Sequence, residues 1–119
     1  MISLKEQVHA ALEGICAHVV YGWNRDEALQ EMICWRESAN RRHAQADGRE
    51  YLAELNYTLD IFAPCPEAAA ELLAAADEKM CNLGLRREAA AEQFEQEWSV
   101  SHVNARYRAL ADAEGNIYQ

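Results

Sequence analysis

Two hydrophobic periods alternate along the chain. Leu4, Val8, Leu12 and Ile15 recur at helical spacing behind Ser3 and Glu6, a capping-box pair, which predicts a helix over residues 4–13 closed by Gly14. The β-branched and aromatic residues of 18–23 then favour a first short strand. Met32-Ile33-Cys34-Trp35 is too brief for a core helix and predicts a strand over 31–38, followed by polar residues rich in turn formers up to Arg49. Asp47-Gly48 marks a turn there, so the strands on either side form a long-armed hairpin.

The cleanest alternation follows. Tyr51, Ala53, Leu55, Tyr57, Leu59, Ile61 and Ala63 occupy one face, against Glu54, Asn56, Thr58 and Asp60 on the other, as in a strand with one side on a core. Pro64-Cys65-Pro66 stops it and Pro66 opens a helix, because a proline at the first helical position gives up an N–H that had no partner. Residues 68–83 carry the stripe Leu72, Ala76, Met80 and Leu83, and Gly84-Leu85 fits a left-handed cap. Residues 86–98 leave helix and extended arm both open, since Ala and Glu favour the first and the flanking elements the second. Alternation returns from Val100 with Val103, Ala105, Tyr107 and Ala109, predicting a last strand before a turn-rich tail at 112–116. The expected architecture is a single α+β domain over 1–119 in the order α-β-β-β-α-β-β. It is a two-layer sandwich of about four mostly antiparallel strands with two helices on one face.

Composition narrows the function. At 119 residues, half of them apolar, the chain supports one core. No run reaches the roughly 18–20 apolar residues of a membrane helix, and Lys5, Glu6 and His9 interrupt the start where a signal peptide needs an apolar run, so a soluble, intracellular protein is expected. A net charge of −9 disfavours nucleic acid and anionic membrane as general partners. Charge is nonetheless segregated: Arg36, Arg41, Arg42 and Arg49 crowd one interval, while Glu88, Glu92, Glu95 and Glu97 form an acidic run.

Candidate chemistry is sparse. Cys16, Cys34, Cys65 and Cys81 form no CxxC pair and are expected to be free, mostly buried thiols; Cys16 and His18 are too few for a metal site. His9, His43 and His102 are expected to face solvent or to be satisfied in the core. No nucleophile with a nearby base, carboxylate pair or phosphate loop is visible, so no catalytic residue, metal or cofactor is assigned. Trp35 belongs to an apolar run, whereas Trp98, after Glu95 and Glu97, is expected to be exposed to a partner.

The block ADGREYLAELNYTLDIFA, the helix PEAAAELLAAADEKMCNLGLRR and the strand HVNARYRAL, in this order, resemble the tail-completion or tail-terminator proteins of long-tailed bacteriophages and prophages. The resemblance implies a subunit of a hexameric ring that caps the tail tube and docks to the head. It would be made in the bacterial cytoplasm and carried into the virion tail, with tail-tube and head-tail connector proteins as partners. Head-tail connector or neck proteins share the pattern, and a small regulatory or ligand-binding α+β domain is the alternative from another class. Head-to-tail packing needs two different patches. Arg41, Arg42 and Arg49 on one side, and Glu92, Glu95 and Trp98 on the other, are the candidates. Arg41, Arg42, His43 and Arg49 are also candidates for a loop meeting DNA phosphates in the ring's lumen, without sequence specificity.

Overall fold

The computed structural model describes residues 1–23, 26, 30–46 and 48–118, apart from the side chains at 45, 46, 49 and 50. The chain runs α1 (Lys5–Leu12), β1 (Val19–Tyr21), β2 (Met32–Ala46), β3 (Arg49–Ala63), α2 (Pro66–Leu83), β4 (Arg86–Glu95), β5 (Val100–Ala111) and β6 (Ile117–Tyr118). The strands form one sheet in the order β1-β2-β3-β5-β4, with β6 pairing β5. The α+β class and element order agree with expectation. The sheet is larger and mixed: it has six strands among the described residues, and β1 runs parallel to β2.

The sheet's two faces follow from period-two alternation. Odd positions of β3 and β5, with Ile33 and Trp35 of β2, turn toward the helices and form the main core with Leu4, Val8 and Leu12 of the first segment and Ala69, Leu72, Ala76 and Met80 of α2. Both helices therefore cover one face. On the other face a smaller cluster of Met32, Cys34, Phe62 and Val100 sits at one end, with Val20 and Trp98 against it.

Local chemistry sets the boundaries. Pro66 lies at the start of α2 as expected, and Gly84 closes it at φ 103°. A side chain there would be strained, and its Cβ would come within 3.1 Å of Ile117. The capping box does not form. Leu4 is the cap residue of α1; Ser3 Oγ accepts from the Lys5 N–H at 3.3 Å and donates to Glu37, while the Leu4 N–H donates to the buried Tyr57 hydroxyl at 2.9 Å. Tyr57 in turn donates to Glu37 at 2.8 Å, so the core strand itself anchors the helix start.

One expectation is corrected and one open alternative is settled. β2 does not end near residue 38 but continues to Ala46, because its partner β3 supplies a ladder along the whole polar stretch. Residues 86–95 form a strand, not a helix: β5 pairs with them from Arg86↔Arg108 to Glu95↔Val100, and the ladder overrides helix propensity. The hairpin turn holds Gly48 at φ 74°, while Asp47 lies outside the described residues. A strand of fifteen residues is about 50 Å long at ~3.4 Å per residue. This accounts for the elongated 52 × 22 × 22 Å shape. β5 reaches only to Ala111, opposite Ala53, so the tip of the hairpin extends past the rest of the sheet.

Candidate assembly interface

Three surfaces outside the main core carry chemistry: the uncovered sheet face, the hairpin arm and the β4 edge. The centre of the uncovered face is a polar network. Asp60 accepts from His102 Nε2 at 2.8 Å, Asn104 Nδ2 at 2.9 Å and Arg36 at 3.2 Å, and His102 Nδ1 meets Glu95 Oε1 at 2.9 Å. Both ring nitrogens thus face carboxylate oxygens, an arrangement that an imidazolium satisfies with two donated hydrogen bonds. Burial alone would lower the His102 pKa, but the bonds to Asp60 and Glu95 outweigh it and hold the pKa above its ordinary value. Burial of Asp60 pulls upward, yet its bonds from His102 and Asn104 keep it below the usual carboxylate value; Glu95 is lowered by its bonds from His102 and Gln93. The His102 ring stacks on Phe62 at 4.4 Å between centroids, with Trp23 edge-on to Phe62 beside it. Spacing missed this network. Asp60, His102 and Asn104 read as ordinary solvent positions of alternating strands, and only the β3–β5 register brings them together.

Beyond it lies a shallow groove of about 370 Å³ lined by Arg36, Arg41, Asn56, Thr58, Asn104 and Arg106. The Asn56 amide nitrogen is buried there without a hydrogen-bond partner. Arg41 and Arg108 flank Glu54 at 3.8 and 2.7 Å, so these cations are partly balanced within the chain.

Several sequence-predicted site residues move. Arg41, Arg42 and His43 lie on strand β2, not in a loop, and all three are exposed. The register places Arg41 opposite Glu54 on the uncovered face and Arg42 opposite Ala53 on the helix-bearing face. The expected single basic loop is therefore split between two faces; the Arg49 side chain lies outside the described residues. On the acidic side, Glu92 is exposed on β4, but Glu95 is bound to His102. Trp98 is half-buried against Phe62 rather than exposed, because the turn after β4 folds it onto the small cluster. Trp23, 56% exposed, and Phe94, 58% exposed, are the apolar rings open to solvent at this end and on this edge. Of the four thiols only Cys34 is buried; Cys65 and Cys81 are exposed and Cys16 is half-buried, which corrects the expectation of mostly buried cysteines.

β4 is the least covered element of the sheet. Nine of its ten positions are exposed on a strand that carries Ala89-Ala90-Ala91, because α2 does not reach across it. Arg87 reaches back to Asp77 of α2 at 3.5 Å, Glu95 meets His102 at the other end, and between them the ladder to β5 holds β4 in place.

No family model matches the chain, nor does any curated protein. Among solved structures, a chain of the virion of a native gene transfer agent particle has the same fold, with a TM-score of 0.59, 89% of each chain covered and 10% identity. At that identity the likeness establishes the fold.

Proposed function

We propose that this chain is a structural subunit of a phage-like virion, a tail-completion or tail-terminator protein that caps the tail tube as an oligomeric ring and docks to the head. The observation that carries the reading is the fold likeness, over 89% of both chains, to a component of a gene transfer agent virion. The architecture suits the role: a long hairpin arm projects from a small core, and Arg41 and Arg42 of β2 lie toward the margin of the sheet opposite Glu92 of β4. Copies arranged head to tail around a ring bring unlike edges together. The role requires docking rather than catalysis, and no cofactor. Arg41 and Arg106, which line the groove of the uncovered face, are the cations that meet DNA phosphates if that face lines the lumen.

The test is the molar mass of the purified protein across a concentration series, then microscopy with and without isolated tail tubes. A closed ring of about six copies, alone or on tube ends, is the expected result. A strict monomer that ignores tube ends overturns the reading, and a dimer that retains a small molecule favours a ligand-binding domain instead.

A further inference from the structure

β4 and β2 form the two long margins of the sheet. β4 pairs with β5 on one side, and among the described residues nothing pairs with its outer side. β1 covers β2 only at Ile33–Trp35, and the Glu37 N–H reaches the Tyr21 hydroxyl at 3.4 Å; from Ser38 onward no described strand lies outside it. Open edges of this kind are templates for pairing. Past its bulge, β4 is regular from Ala89 to Glu95, with neither proline nor lysine to blunt it.

We infer that the outer edge of β4 pairs antiparallel with the outer edge of β2 in a second copy of this chain, so that the sheet continues from subunit to subunit. The inference rests on the ring-forming reading above and specifies how neighbours join.

Strand direction permits it. β2 and β5 run one way, β3 and β4 the other, so a copy placed beside β4 in the same orientation offers its β2 antiparallel. Side-chain faces and charge select the register. Glu92, opposite Val103, and Arg42, opposite Ala53, both point to the helix-bearing face, whereas Gln93 and Arg41 both belong to the uncovered one. Setting Glu92 against Arg42 of the next copy therefore sets Gln93 against Arg41 and Phe94 against Asn40, with every pair on a matching face. Phe94 then arrives beside Asn40, which with Met1, Ile2, Ser3 and Arg42 lines a cavity of about 760 Å³ on that face. Self-pairing of two β4 strands centred on Ala90 instead sets Glu88 beside Glu92 of the other copy, a like-charge contact. The β2 edge of a second copy, which offers Glu92 the opposite charge of Arg42 with faces matched, is the occupant assigned to the β4 edge.

Charge reversal and crosslinking test this in the full chain. Glu92→Arg and Arg42→Glu, both at exposed positions, each shift the concentration midpoint of self-association upward about tenfold, and the double reversal restores it. With exposed Cys65 and Cys81 changed to serine, the pair Gln93→Cys and Arg41→Cys gives a ladder of oxidised multimers, since facing strand residues sit within disulfide reach. Circular dichroism verifies that each variant is folded. Dimers without higher multimers, no crosslink at all, or a double reversal as weak as the single ones overturns edge pairing. If wild-type protein caps tail tubes while the crosslink fails, edge pairing falls and the virion role stands; if it neither self-associates nor caps tubes, both fall.

Discussion

β4 and β5 are neighbours in one sheet, similar in length and joined by the four residues 96–99, yet β5 is buried at most positions and β4 exposed at nearly all. The difference lies in what covers them rather than in pairing. β5 has α2 on one face and the Asp60–His102 network and small cluster on the other; β4 meets α2 at its Arg87 end, and among the described residues no strand lies beyond it. A strand held by one ladder, with three alanines and an exposed phenylalanine, contributes little to the core and keeps its outer amides open. Stability is thus assigned to β5, and the proposed edge pairing assigns assembly to the strand beside it.

The contrast is most exposed to test by truncating one aromatic ring on each strand. Tyr107 on β5 is fully buried and donates to Asp77 at 2.8 Å, so Tyr107→Ala is expected to cost about 3–5 kcal/mol in denaturant unfolding, the range for loss of a buried aromatic side chain. Phe94→Ala on β4 is expected to change it by less than about 0.5 kcal/mol. Equal losses would mean that β4 is as much core as β5.

A second expectation concerns the network that ties the two strands to β3. Asp60→Ala leaves the His102 Nε2 buried without its carboxylate while Nδ1 keeps Glu95, and should cost about 2–4 kcal/mol. It should also flatten the pH profile. His102 has a raised folded pKa, so its contribution is full below 6.5 and fades as pH rises through the folded value. Asp60 and Glu95 have lowered folded pKa values, so theirs is full above their ordinary values of 3.8 and 4.5 and fades as pH falls through the folded ones. Wild-type stability should therefore peak between about pH 4.5 and 6.5, and thermal melts of Asp60→Ala should show a shallower maximum, since the His102–Glu95 pair remains.

Smaller still is the effect at the β4–β5 turn. Ser99 sits at φ 52° without being glycine, and Ser99→Gly should stabilise by up to about 1 kcal/mol, the left-handed strain relieved less the entropy glycine loses. Thiol labelling of the native protein changes no stability but separates the cysteines: Cys65 and Cys81 should react at once, and buried Cys34 only on unfolding.

The same physics explains which parts were legible in the sequence. Residues 51–63 and 100–111 alternate because one face lies on the core, and Pro66 and Gly84 punctuate the helix between them; these elements appear where expected. The outer half of β2 hid because neither of its faces meets a core there, and register shifts at 37/39, 42/44 and 44/45 interrupt the alternation. β4 stayed ambiguous because an exposed strand has no need of a hydrophobic face, and its Ala and Glu content favours helix as much as its position favours a strand. The pairing of Arg41 with Glu54, and of Glu95 with His102, depends on registers between strands distant in sequence, so charge segregation was visible but its internal use was not.

Hydrogen exchange, followed by mass spectrometry in dilute monomer and in assembled protein, addresses the central claim most directly. The amides of β3 and β5 should be protected in both states, while the outward-facing amides within 89–95 of β4 and 38–42 of β2 should exchange fast in the monomer and become protected on assembly. Protection of β4 equal to that of β5 in the monomer, or an edge that stays fast in the assembled protein, would contradict the account.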